Sequence, residues 1–456
     1  MDTQGISNAL RGKTYFIRTF GCQMNLHDSE RVSGLLDSLG CSLVGDPADA
    51  DIVIFMTCCV REAADQRLYG QCNSCKSLPT APSGKRVIAV GGCIAQRDGE
   101  GLLTNVDNVD VIFGTHAIAH VGELIAQAFE DSERHILTAE DESLAALTMP
   151  WHREYSYHAW VPIMTGCNNF CSYCIVPYVR GREKSRSIEE VVDEVTGLVR
   201  AGVREVTLLG QNVNSFGRDR YGAPRFAELL RKVGETGVER IRFTSSHPKD
   251  LLPETIDAMA EVTAVMPHLH LAVQSGSTRI LKLMNRKYSR EDYLSLVDAV
   301  RERIPDIALT TDIIVGFPGE TEDDFAETLS LAEAVGYSQA FTFIYSRRQG
   351  TPAAEIPDDT PREVIQDRFD RLVKVIEDTA FAFNQHELHQ VVPVLVEGTS
   401  KKDSSVLQGK SPKNQTVHAP LPEGARIDDL VGKIIDVRVD RARTWYLSGS
   451  VVGQAR

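Results

Sequence analysis

The chain has 456 residues, 42% hydrophobic and 25% charged, with 10 cysteines and a formal net charge of -14. That length allows two to four domains at about 150 residues each, and the ordinary apolar fraction excludes wholesale disorder. The longest apolar run, around Ile52 to Val60, falls well short of a membrane span of roughly 20 residues, and no signal-peptide pattern opens the chain. A cytoplasmic setting without membrane attachment is therefore expected, where cysteines serve metals or catalysis rather than disulfides.

Through residue 130, apolar runs alternate with amphipathic stretches. Lys13–Phe20, Asp51–Thr57, Arg86–Val90 and Val109–Phe113 read as buried strands; Ser29–Leu39, Arg61–Leu78 and Ile118–Phe129 read as helices. Such alternation implies parallel pairing, so an α/β domain with an open parallel sheet is expected over 12–130. A polar linker is expected over 131–156. A second alternating series fills 157–388. Its strands are expected at Trp160–Met164, Glu205–Leu209, Arg240–Thr244, Leu269–Val273, Ala308–Val315 and Ala340–Tyr345, with helices beginning near Ser187, Phe226, Pro253, Ser277, Glu322 and Pro361. Six βα units suit a partial (βα)6 barrel, whose active site would lie at the carboxyl ends of the strands.

From 389 to 456 the pattern becomes β-rich. Val391–Glu397, Val406–Gly409, Thr416–His418, Lys433–Val439 and Tyr446–Val452 suggest a small β-barrel. Residues 388–456 carry 10 Lys/Arg against 7 Asp/Glu, whereas the remainder carries 39 against 56. An acidic whole argues against a non-specific DNA coat but leaves room for one local basic surface meeting nucleic acid.

The sharpest local signal is Gly166-Cys167-Asn-Asn-Phe-Cys171-Ser-Tyr-Cys174, a C-x3-C-x2-C loop just after a predicted strand. Three thiolates so close suit three irons of a cubane, leaving the fourth iron open to a ligand, whereas carrier clusters use four cysteines. A zinc site lacking one ligand and three merely buried cysteines are the alternatives. A second constellation is regular over longer range. Cys22, Cys58 and Cys93 each follow an N-terminal strand and precede a helix, at separations of 36 and 35 residues. Equivalent strand ends in a parallel sheet converge on one edge, and helix starts favour thiolates.

The cysteine loop at the first strand of six βα units resembles the radical S-adenosylmethionine (radical SAM) superfamily. With Gly21-Cys-Gln-Met-Asn25, Val176-Pro-Tyr-Val-Arg-Gly-Arg-Glu183, Leu208-Leu-Gly-Gln-Asn-Val-Asn214, Thr244-Ser-Ser-His-Pro248, Val273-Gln-Ser-Gly-Ser277 and Val315-Gly-Phe-Pro-Gly-Glu320, the chain is similar to the methylthiotransferase branch of that superfamily. The resemblance spans an N-terminal cluster domain, a radical SAM core and a C-terminal TRAM-like RNA-binding module. It implies two 4Fe-4S clusters, one on Cys22, Cys58 and Cys93 and one on Cys167, Cys171 and Cys174, with two SAM molecules used per turnover. One SAM would methylate a sulfur on the auxiliary cluster, and the other would yield the adenosyl radical that activates the substrate carbon.

The implied reaction converts N(6)-dimethylallyladenosine at tRNA position 37 to its 2-methylthio derivative, with no acid–base pair because the chemistry belongs to the clusters. Implied partners are the tRNA anticodon stem-loop, a flavodoxin or ferredoxin as electron donor and a sulfur donor, acting with a monomer. Tyr173, Gln211, Asn212 and Gly316 are expected SAM contacts; Arg180, Arg182, Lys401, Lys402 and Lys413 are expected RNA contacts. Met56 replaces the family's usual Asn, Ala272 its usual Pro and Cys59 a frequent Ser. Cys72 and Cys75 add a C-x2-C pair inside a helical pattern, leaving a zinc site with Cys58 or Cys59 as an alternative. The rival functions are methylthiolation of another tRNA nucleoside or a ribosomal protein, and a non-catalytic metal-dependent RNA-binding protein.

Overall fold

The structure is a computed structural model that describes residues 3–59, 62–131, 133–139, 152–153, 155–453 and 455–456. Its chain forms two compact units. The first comprises residues 1–154, 164–168 and 174–184; the second comprises 155–163, 169–173 and 185–456.

The first unit holds a six-stranded, wholly parallel sheet built from β1 (Thr14–Thr19), β2 (Ser42–Leu43), β3 (Ile52–Thr57), β4 (Val87–Gly92), β5 (Val111–Phe113) and β6 (His135–Leu137). The order is β2-β1-β3-β4-β5-β6. β3 (IVIFMT) and β4 (VIAVGG) are buried at every position, as expected of strands covered on both faces by crossover helices. One apolar core, containing Val32, Ile54 and Phe113, and another, containing Val53, Leu68 and Val90, flank the sheet. Strand order reverses between β1 and β3, the switch point where parallel sheets open a crevice at their carboxyl ends. Two features depart from the sequence expectation. The first main helix begins at Gln23, directly after Cys22, rather than at Ser29. The sixth strand occupies His135–Leu137, inside the expected linker, because it adds to the exposed edge of β5. Residues 140–151 of that linker lie outside the described residues.

A two-stranded pairing joins β8 (Met164–Thr165) to β9 (Lys184–Ser185), after β7 (His158–Pro162). In the second unit β7, β10 (Glu205–Leu209) and β11 (Arg240–Phe243) form one parallel sheet; β12 (His268–His270), β13 (Ala308–Val315) and β14 (Gln339–Ile344) form another. Isolated bridges Ile241–Val265 and Ser246–Leu271 link β11 to the chain around β12. Helices follow at the expected starts. Ser187, Ser289 and Thr321 close capping boxes, each hydroxyl accepting from the N3 amide while the N3 carboxylate accepts from the cap's own amide.

The C-terminal strands β15 (Val391–Ser400), β16 (Asp403–Lys410), β17 (Thr416–Pro420), β18 (Ile434–Ala442) and β19 (Tyr446–Val451) close into a barrel in the order β15-β16-β17-β19-β18. Its core contains Val394, Leu407, Val417, Val437 and Leu447. The barrel is stitched to the start of β11. Arg240 donates to the carbonyls of Lys410 (2.9 Å) and Pro393 (2.7 Å), and Arg242 to those of Ser411 (2.8 Å) and Pro412 (3.0 Å). Arg242 also pairs with buried Glu205 at 2.9 Å.

Candidate active site

In the first unit Cys22, Cys58 and Cys93 follow the carboxyl ends of β1, β3 and β4, with Cys58 in hydrogen-bond reach of Cys22. Close approach between strand ends is possible because Gly21, at φ +125°, has no side chain; a Cβ there would lie 2.2 Å from Cys58 Cβ. Asn25 and Thr57 tie the edge together. Asn25 Nδ2 donates to the Thr57 carbonyl at 2.5 Å, and Thr57 Oγ1 donates to the Gly91 carbonyl at 2.6 Å. Cys22 is the N-cap of the Gln23–Ser38 helix.

The electrostatics favour thiolates. The Cys58 thiol donates to Cys22, and with the Arg180 charge and the amides of Asn25 and Met24 this pulls the Cys22 thiol down to about 6 against the cost of burial. Cys93 is drawn down to about 7, chiefly by a hydrogen bond from Cys59 and also by Arg180, while Cys59 is driven up as the donor. Arg180 itself is 6% exposed and pairs with buried Asp28 at 2.8 Å. This corrects its expected role. A guanidinium enclosed with Asp28, Cys22 and Cys93 is not offered to an RNA phosphate; it offsets thiolate charge. Two thiols at this edge, Cys22 and Cys93, are drawn down, as a metal–sulfur group requires of its ligands.

Cys72 and Cys75 lie in the same unit, packed in the apolar core with Val53, Leu68 and Val90. Burial pushes the Cys72 thiol up to about 12 and raises Cys75 too, the reverse of what a ligand requires.

The cysteine loop leaves β8. Cys167 and Cys174 belong to the first unit and Cys171 to the second. The Cys167 amide donates to the Gly181 carbonyl at 3.1 Å, and the Asn168 amide to Glu183 Oε1 at 3.2 Å.

In the second unit, the carboxyl ends of the barrel strands carry buried polar atoms without a partner among the described residues. These are Gln211 Oε1, Asn212 Oδ1 and Asn214 Nδ2 after β10, Ser246 Oγ after β11, Glu320 Oε1 after β13 and Tyr345 OH after β14. Buried polar groups are ordinarily satisfied, so six on one rim fit a polar cofactor such as SAM. Asn212 is held by donating to Asp250 at 2.7 Å. Gly316, at φ +72°, donates its amide to Glu320 Oε2 at 2.8 Å, and burial pushes the Glu320 carboxyl up to about 7. Tyr173 packs against the apolar group of Ile280, Met284 and Phe317. Gln211, Asn212 and Gly316 thus sit on the rim, as the sequence led one to expect. Asn214, Ser246, Glu320 and Tyr345 lie there as well, unmarked by any local spacing.

Among the expected RNA residues, Lys401 and Lys402 are exposed at the β15–β16 turn, and Arg182 is exposed too. Lys413 is half-buried and paired with Glu387 at 2.7 Å, which spends its charge internally. Sequence reasoning missed an aromatic surface. Trp445 is 49% and Tyr446 40% exposed on the C-terminal barrel, Tyr446 meets the His418 ring edge-on at 5.3 Å, and Arg441 and Arg443 are exposed beside them. The Arg-Ala-Arg-Thr-Trp-Tyr run was the available signal.

Comparison with known proteins places these sites in context. The radical SAM superfamily model matches residues 161–332, the uncharacterized protein family UPF0004 residues 14–114 and the TRAM domain residues 385–452. The chain is 47% identical over 443 residues to the tRNA-2-methylthio-N(6)-dimethylallyladenosine synthase of Acetivibrio thermocellus, covering 96% of this chain and 91% of that one. The chain belongs to this synthase family. Further members are similar to it, from Clostridium tetani at 47% identity, covering 96% of both chains, and from Acidothermus cellulolyticus at 49%, covering 92% of this chain and 85% of that one.

Among solved structures, a radical S-adenosylmethionine methyltransferase from Kitasatospora setae with cobalamin and a 4Fe-4S cluster bound shares the fold at TM-score 0.55 and 14% identity, over 75% of this chain and 74% of that one. The cobalamin-dependent radical enzyme OxsB does so at TM-score 0.52 and 13% identity, over 81% and 56%. Family membership makes the protein a radical SAM transferase whose cofactors are 4Fe-4S clusters and SAM.

Proposed function

We propose that the protein is a tRNA methylthiotransferase that converts N(6)-dimethylallyladenosine at position 37 to its 2-methylthio derivative. The observation that carries this reading is the presence of both cysteine sets in a chain that covers 85–96% of the length of the synthases named above. Cys22, Cys58 and Cys93 would hold the auxiliary cluster, and Cys167, Cys171 and Cys174 the SAM-cleaving one. When bound, the latter supplies the electron for reductive SAM cleavage and the former the sulfur to be transferred, with two SAM molecules used per turnover.

The chain's own residues bind and orient. Arg180 helps to draw down the Cys22 and Cys93 thiols, and Asn25 with Thr57 fixes the strand ends. Gln211, Asn212, Gly316 and Tyr173 are assigned to SAM: amides to its polar end, backbone approach at the glycine and an aromatic wall. Lys401, Lys402 and Arg182 would meet tRNA phosphates, and Trp445 with Tyr446 would stack on unpaired bases. No helix among the described residues is long and apolar enough to cross a membrane. A cytoplasmic monomer served by a flavodoxin or ferredoxin and by a sulfur donor completes the proposal.

The test is mass spectrometry of tRNA nucleosides from cells lacking the gene. The 2-methylthio nucleoside should vanish while N(6)-dimethylallyladenosine accumulates, and the intact gene should restore it. An unchanged nucleoside profile refutes the assignment.

A further inference from the structure

The turn that ends the Thr278–Leu283 helix grips the middle of the cysteine loop. The Ser172 amide donates to the Met284 carbonyl at 3.0 Å, the Ser172 hydroxyl to the Leu283 carbonyl at 2.8 Å, and Asn285 Nδ2 to the Phe170 carbonyl at 2.8 Å. Asn285 takes φ +57°, a left-handed turn that Asn tolerates better than most residues, and the Arg286 amide closes back on the Leu281 carbonyl at 2.8 Å. This geometry delivers the buried Arg286 side chain to Cys171.

All three guanidinium nitrogens are engaged. Nε donates to the Tyr288 hydroxyl at 2.8 Å, Nη2 to the Ala272 carbonyl at 2.5 Å, and Nη1 to Cys171 Sγ at 3.4 Å. The first two contacts fix the plane of the fork; the third aims it at sulfur. The Tyr288 hydroxyl in turn donates to the Val273 carbonyl at 2.8 Å, with the Ala272 carbonyl at 3.3 Å. Arg180 shows the contrast, since Asp28 neutralises it at 2.8 Å. The three bonds from Arg286 go to a hydroxyl, a carbonyl and a sulfur, and none of them to a carboxylate.

We propose that Arg286 is a positioning residue that sets the reduction potential of the iron–sulfur cluster on the cysteine loop by donating an N–H to the Cys171 sulfur. The proposal rests on reading Cys167, Cys171 and Cys174 as that cluster's ligands. Adding one electron from the reductant makes the cluster more negative. A donor and a cation at one ligand sulfur, in a buried setting, stabilise that reduced state. No bond to Arg286 forms or breaks; its fork orients Cys171 and lowers the cost of the electron.

The test is an EPR-monitored redox titration with iron analysis, on the full-length chain carrying Cys22→Ala, Cys58→Ala and Cys93→Ala so that one cluster reports. Arg286→Met should hold the parent's iron. At the potential where half of the parent cluster is reduced, its reduced-to-oxidised ratio should fall about tenfold or more, a shift of about 59 mV or more for a one-electron couple. Arg286→Lys, which keeps a cation without the planar fork, should load iron and shift less. Either variant with the parent's iron content and potential overturns the proposal. Failure of both variants to hold iron also overturns it, by showing that Arg286 builds the loop rather than tuning the cluster. Absence of a reducible cluster in the parent would instead refute the ligand assignment.

Discussion

Arg180→Met separates two incompatible roles for one residue. On the surface it would cost one phosphate contact; buried beside Asp28 it holds the first unit together and helps to draw down the Cys22 and Cys93 thiols. Asp28 and Arg180 are 4% and 6% exposed and 2.8 Å apart, so the substitution leaves a buried carboxylate without its cation. Removing one partner of such a pair costs about 3–5 kcal/mol, which accelerates exchange of the most protected amides by roughly two to four decades where global opening governs them. Hydrogen exchange followed on peptides covering β3 and β4 reads this directly. Arg180→Met with Asp28→Asn should recover part of the protection, because the carboxylate that Arg180 paired is then uncharged. The salt dependence of tRNA binding should keep its slope, since no phosphate contact is lost. A slope reduced by about one with protection unchanged would refute the internal role and restore the surface one.

Replacing Cys167, Cys171 or Cys174 by Ala should abolish 5′-deoxyadenosine formation while iron at Cys22, Cys58 and Cys93 persists; full product formation would refute the assignment. Cys72→Ser with Cys75→Ser should leave iron content and methylthiolation near wild type, because both thiols are buried and protonated; loss of a metal equivalent would favour the zinc alternative. Trp445→Ala should weaken tRNA binding by about 1–3 kcal/mol if one base stacks there, measurable by filter binding, and unchanged affinity would remove the stacking surface. Glu320 has a folded pKa of about 7, raised by burial from an ordinary 4.5. The folded state therefore holds a proton that the unfolded state releases, and stability should fall as pH rises from about 4.5 through about 7. Denaturation midpoints across that range should lose part of this slope in Glu320→Gln, and an identical slope would show that Arg368, whose Nη1 lies 3.5 Å from Glu320 Oε2, already compensates the charge.

The sequence determined the strand–helix alternation, the β-rich tail and the two cysteine sets, because buried runs, turn residues and thiol spacing are local. Helix starts at Ser187, Phe226, Pro253 and Glu322 were legible for the same reason: capping and periodicity act within a few residues. The placement of Cys22, Cys58 and Cys93 after β1, β3 and β4 followed from the rule that parallel strands end on one edge. Tertiary structure alone decided which charges face inward. Arg180 and Arg182 stand two residues apart in one basic run, yet the first is buried with Asp28 and the second is exposed. Arg286 lies more than a hundred residues from Cys171, and only the turn after Leu283 brings its guanidinium to the sulfur. Lys413 looks like Lys401 and Lys402 in sequence but is spent on Glu387. A charged side chain gives no local signal of its burial, because its partner is chosen by the fold and is distant along the chain.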